Sequence, residues 1–199
     1  MSRVTCDVSV SVDGYSAGLN QTQELPFGDR DGEALHRWMF EQAEQNAAEV
    51  AAILSARAYV MGRNMFGPIR GEWDRPWRGW WGEEPPYHAP VFVLTHYPHE
   101  PLEMQGGTTF HFVTDGIESA LAQARDAAGD GDVSIAGGAH TVSQYLVAGA
   151  IDELRLHLAP MTFGQGERIF DGVGPLNLEQ IGEVKGTDLV THLTYRVVR

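Results

Sequence analysis

The stretch VSIAGGAHTVSQYLVAGAIDEL, residues 133–154, constrains this chain more than any other. A short apolar run stops at Gly137-Gly138, and a helix-like pattern follows at once. Glycine reaches backbone angles that other residues avoid, so the pair suits a tight strand-to-helix turn. A helix start also carries unpaired N–H groups and a partial positive charge. Bare glycines there let a phosphate come close to the backbone. The residues alone leave both readings open. Each requires a strand that feeds a helix, the building unit of an α/β sheet.

Other segments extend that pattern. Val4, Cys6, Val8, Val10 and Val12 alternate with Thr5, Asp7, Ser9 and Ser11, which predicts a strand. SVDGYSAG then interrupts it as a loop. Residues 33–55 predict one long helix with Leu35, Trp38, Met39, Ala43, Ala47, Val50 and Leu54 on its apolar face. Further strands are expected at 59–61, 91–95, 110–113, 133–136 and 154–158. Asp115, with Glu118 three residues on, predicts the N-cap of a helix running to about 128. A second helix follows the glycine pair to 148. Residues 67–90 hold four of the five tryptophans among five prolines, and predict an ordered loop packed on the domain or lining a pocket. Residues 176–184 and 189–198, joined by KGTD, read as a hairpin. The expected architecture is one α/β domain over 1–199, with a mostly parallel sheet and an antiparallel C-terminal edge.

Composition narrows the function. The chain of 199 residues is 43% hydrophobic and carries a formal charge of −13. Its basic residues form no cluster, which argues against nucleic acid or an anionic membrane as a partner. No apolar run approaches the roughly 20 residues that span a bilayer. The N-terminus reads as a strand rather than a signal peptide, so a cytoplasmic protein is expected. Cys6, the single cysteine, is expected to be a small buried hydrophobe. Phosphate-loop, GxSxG and HExxH motifs are missing. The one HxxH pair, His96 and His99, lies in a Pro-containing loop and is a weak metal motif, so no metal is expected.

Two strands run into a glycine and a helix start: YVMGRN at Gly62 and SIAGGAHT at Gly137. Ligands of open α/β sheets bind outside the carboxyl ends of the strands. Two adjacent ends of this kind can present backbone N–H groups to one pyrophosphate, with Arg63 as a fixed cationic fork. In order and spacing, SVDGYSAG, YVMGRNMFG, FVLTHYP and VSIAGGAHTVSQYLVAGAIDELRLHLAPMTFGQGERIF resemble the dihydrofolate reductase-like superfamily. The nearer likeness is to its branch typified by the reductase domain of the bifunctional riboflavin-biosynthesis enzyme.

That resemblance implies a three-layer α/β fold around a mixed sheet of about eight strands, binding NADPH. It implies that Gly62, Arg63 and Asn64 hold cofactor phosphates, and that Thr95 and His96 meet the adenosine 2′-phosphate. Gly137, Gly138, Ala139, His140 and Thr141 match the second pyrophosphate loop. In dihydrofolate reductases the bond between these glycines is cis. Ser9 and the 13–18 loop match the edge flanking the nicotinamide. A homodimer through the terminal hairpin is also implied. The chain departs from its relatives at His96, where many carry arginine, and at Tyr15, where the riboflavin branch often carries lysine. The expected function is a reductase passing hydride to a small pyrimidine- or pterin-like substrate. Asp13 is the candidate proton donor and Trp38 a candidate stacking surface for the substrate. The rival is an NADP(H)-binding protein without turnover.

Overall fold

The computed structural model describes residues 2–29 and 31–199. Its twelve strands are β1 (Val4–Ser11), β2 (Tyr15–Ala17), β3 (Ala58–Gly62), β4 (Pro90–Leu94), β5 (Leu102–Glu103), β6 (Thr109–Val113), β7 (Val133–Gly137), β8 (Glu153–Ala159), β9 (Glu167–Arg168), β10 (Asn177–Gln180), β11 (Lys185–Gly186) and β12 (Thr191–Val198). The helices are α1 (Arg37–Glu41), α2 (Ala47–Ile53), α3 (Arg63–Phe66), α4 (Ile117–Ala128) and α5 (Ala139–Val147).

Ten strands form one sheet in the order β10-β12-β8-β1-β7-β3-β4-β6-β5, with β11 also on β12. Strands β8, β1, β7, β3, β4 and β6 are mutually parallel, and β5, β10, β11 and β12 are antiparallel additions. The two-residue strands β5 and β11 raise the count above the expected eight. A small second sheet pairs β2 with β9.

The helices α4 and α5 cover one face over Val4, Cys6, Val8, Val10, Val60 and Ile135. The other face is covered by α1 to α3 and the tryptophan-rich loop, where Trp73, Trp77 and Trp81 join the cluster of Met61, Phe66, Val91 and Phe110. Alternation in β1 therefore marks two kinds of neighbour rather than inside and outside. Its polar members Thr5, Asp7, Ser9 and Ser11 are buried too.

The expected helix over 33–55 is broken. A 3-10 turn, Gly32–His36, leads into α1, and residues 42–46 separate α1 from α2. The break sits at Asn46, which is buried and turns inward: its amide donates to Gln42 O at 2.9 Å, and its Oδ1 meets His192 Nε2 at 2.9 Å. The cap of α4 also differs. Gly116, at φ 89°, precedes the first turn, and no side chain caps it, so Asp115 is not the N-cap. No helix among the described residues is long and apolar enough to cross a membrane.

Candidate cofactor site

The strands β3 and β7 are neighbours in parallel register, so Gly62 and Gly137-Gly138 end side by side at their carboxyl ends. Each feeds a helix. At Gly62 a Cβ would collide with Thr141 Oγ1, so the start of α5 packs against bare backbone. Gly137 has φ +124°, where glycine is favoured, and the Gly137–Gly138 peptide is cis. Gly138 differs from both: a Cβ there would meet nothing within 4 Å, so this backbone faces open space. No side chain caps α5. Its first N–H groups have no partner within the helix and point outward past Gly138. Ala139 and Thr141 are buried under this turn, and His140 is exposed.

Arg63 stands beside the turn at the first position of α3. Its guanidinium carbon lies 3.8 Å from the Trp73 ring centroid and 5.2 Å from that of Tyr97. The arginine Nη1 donates to Thr95 Oγ1 at 3.4 Å. Its Nε and Nη2 are buried and have no hydrogen-bond partner. Burial, and then the neighbouring charge of Arg70, holds the Arg63 pKa below its ordinary value. A buried donor without an acceptor costs free energy. The aromatic cage fixes the fork in place but leaves that cost standing. Thr95 is buried at the end of β4, and its hydroxyl also accepts from Tyr97 N at 3.1 Å. His96, exposed, follows it, and Asn64 is exposed beside Arg63. Residues from β3, β4 and β7 thus converge on one rim with paired glycine turns and a cation that lacks an anion. This donor set suits a phosphorylated ligand.

Three expected residues are placed otherwise. Trp38 is fully buried, with ring centroids of His157 and His192 each 4.9 Å away, so it offers no surface to a substrate. Ser9, expected at the edge flanking the nicotinamide, is buried beneath Trp38, and its hydroxyl accepts from Trp38 Nε1 at 3.2 Å. Asp13 is a staple: its carboxylate accepts from Ser11 Oγ at 2.6 Å, Phe163 N at 3.0 Å and Gly164 N at 2.7 Å. The Ser11 bond, then the Gly164 and Phe163 amides, hold its pKa down to about 2. It is ionised at neutral pH and does not carry a proton to give.

A pH signature follows from Asp13. A carboxyl depressed by folding stabilises the protein above its unfolded pKa, about 3.9, and that contribution is lost as pH falls through the folded value. Asp13→Asn is expected to lower the urea midpoint at pH 7, with the gap to wild type closing progressively below about pH 4. A gap independent of pH between 7 and 3 would show that the staple is not the carboxylate.

The cage of Trp73 and Tyr97 escaped the sequence reading, since nothing local ties positions 10 and 34 residues downstream to Arg63. His99 is packed against Trp73 and Phe112, with centroids 4.9 and 4.6 Å apart. Among the described residues no group of three or more His, Cys, Asp or Glu could hold a metal ion.

The RibD C-terminal domain family matches residues 2–191. No curated protein matches the chain. Among solved structures, a protein assigned to riboflavin biosynthesis from Shewanella sp. PV-4 is 23% identical, with 100% of both chains covered and a TM-score of 0.67. The diaminohydroxyphosphoribosylaminopyrimidine deaminase/5-amino-6-(5-phosphoribosylamino)uracil reductase of Thermotoga maritima is 17% identical over 99% of this chain and 57% of that one, with a TM-score of 0.61. Dihydrofolate reductase from Enterococcus faecalis, complexed with NADP(H), is 17% identical over 98% and 96% of the two chains, with a TM-score of 0.55.

Proposed function

The chain belongs to the RibD C-terminal domain family, and from that premise we propose that it is an NADPH-dependent reductase of a small pyrimidine- or pterin-like substrate. One observation carries the reading: the half-buried, caged Arg63 guanidinium has two buried donor atoms without acceptors at the rim of the paired glycine turns. A phosphate supplies the missing acceptors.

The bound cofactor would supply hydride; the protein supplies binding, orientation and electrostatics. Gly138 and the first N–H groups of α5 receive phosphate oxygens, and Gly62 keeps α5 close to β3. Trp73, Tyr97 and Thr95 hold the Arg63 fork against rotation, which lowers the entropy lost on binding. His96 sits beside them, where an added 2′-phosphate would distinguish NADPH from NADH. Asp13 ties the turn after β1 to residues 163–164 and leaves proton delivery to water.

NADPH is expected to raise the melting temperature. At 100 times the dissociation constant the gain is about 2.7 kcal/mol, or about 5–11 °C for a domain of this size. No shift at millimolar NADPH would remove the reading. The ionised, pinned Asp13 favours one alternative, cofactor binding without turnover. Following NADPH oxidation across a panel of pyrimidines and pterins separates the two: stabilisation with no oxidation selects the alternative.

A further inference from the structure

Residues 71–76 form a strap that is fastened at both ends and tied down at one point between them. Ile69, 3% exposed, fixes one end. At the other, Trp77 packs on the core, and its Nε1 donates to Phe66 O at 2.9 Å. Between them Gly71, Glu72, Asp74, Arg75 and Pro76 are exposed, and among the described residues they make no hydrogen bond or ion pair. A segment with so few contacts opens at low cost. Gly71 has φ +73°, and a Cβ there would meet nothing within 4 Å, so the chain is free to turn at that point. The tie is Trp73. Its Nε1 donates to Tyr97 O at 3.1 Å, its ring carries the Arg63 guanidinium at 3.8 Å, and it lies edge-on to Phe112 with centroids 5.3 Å apart.

The same tie shuts one end of the cofactor site. The groups around the Arg63 guanidinium come from two segments: Arg70, Trp73 and Asp74 on one, Thr95 and Tyr97 on the other. Together they bury Nε and Nη2 and give them no acceptor. These two nitrogens form the edge of the fork that grips an oxyanion with two parallel bonds. A phosphate cannot reach that edge while the two segments stay joined at Trp73 and Tyr97. We propose that the 71–76 strap is a gate on the cofactor site: Trp73 leaves Tyr97, a phosphate enters on Arg63 Nε and Nη2, and the strap closes again over the complex. The gate rests on the reductase reading above. Closed and empty, it holds unpaired donors away from water, a cost that an entering phosphate removes. The glycine turns stay open, since Gly138 faces free space. The cofactor therefore lands there first, and the step that engages Arg63 waits for the strap. Such a wait makes the binding rate level off as ligand concentration rises.

Two measurements on the full chain test the gate. Without cofactor, phenylglyoxal labelling with peptide mass mapping reads access to Arg63 against Arg75, which is exposed on the strap itself. Arg63 should label more slowly than Arg75, and Trp73→Ala should speed Arg63 by about tenfold, the scale of one hydrogen bond and one cation–π contact. With NADPH in stopped flow, followed by its own fluorescence, the wild-type rate should reach a ceiling, and Trp73→Ala should lift that ceiling by a similar factor. If Trp73→Ala fails to fold, Trp73→Phe decides: it keeps a ring for Arg63, loses the Nε1 donor, and should give a smaller rise in the same direction. Equal labelling of Arg63 and Arg75, a rate that stays linear in NADPH, or a ceiling that neither variant moves overturns the gate and leaves NADPH binding intact. No NADPH binding at all overturns the reductase reading and the gate together.

Discussion

Gly138→Val is expected to abolish NADPH binding in a protein that still folds. The three glycines of the site answer to different demands. At Gly62 a side chain would strike Thr141, and at Gly137 the φ of +124° strains any L-residue. Substitution at either damages the fold, and a lost ligand would then say little. Gly138 has φ −78° and ψ −165°, extended backbone that other residues adopt, and its Cβ would meet no protein atom within 4 Å. The space a valine fills there is the space the phosphates need. Losing two charge-assisted backbone bonds at about 1.5–3 kcal/mol each weakens binding by at least about 100-fold. Fluorescence titration with NADPH, beside a melting curve without it, reads both quantities. Near-normal affinity would place the phosphates elsewhere.

The contrast among those glycines also shows how far the sequence can be read. That a strand hands over to a helix at 137–138, and another at 62, follows from local pattern alone. So does the parallel core, since each strand there is followed by a turn and a helix or a long connection. What local pattern does not carry is tertiary demand. Residues 33–55 contain no glycine or proline, and their apolar spacing predicts one helix. The break comes from Asn46, which His192 pulls inward from a strand 146 residues away. Trp38 lies on the predicted face, but periodicity says only that a face is covered, not whether protein or ligand covers it. Here two histidines and Ser9 surround it. Asp13 is expected as a proton donor, and local pattern does not show that the amides of Phe163 and Gly164, far along the chain, hold its carboxylate in a turn. Alternation in β1 predicts a strand, but not that its polar members Asp7, Ser9 and Ser11 are buried as well. The partners Arg155 and His157 lie on β8, beyond the reach of local pattern.

Arg63→Met is expected to move stability and binding in opposite directions. In the free protein the guanidinium has two buried donor atoms without acceptors, and its charged form is disfavoured by burial and by Arg70. Cation–π contact with Trp73 offsets part of that cost. Methionine is flexible and polarizable, can lie on the same ring, and has no donors to orphan. The free variant should therefore melt at or above the wild-type temperature. Its NADPH affinity should fall about 10- to 150-fold, the worth of one hydrogen-bonded charge at about 1.5–3 kcal/mol. Comparison with NADH locates the phosphate concerned. A loss confined to NADPH puts Arg63 on the 2′-phosphate, together with Thr95 and His96; an equal loss for both puts it on the pyrophosphate. A free variant that melts several degrees lower, with cofactor affinity unchanged, would make Arg63 a packing residue and remove the observation on which the reductase reading rests. A strained cation kept where it destabilises the free protein is the pattern of a binding site, because sequences are held to the stability that function needs and no further.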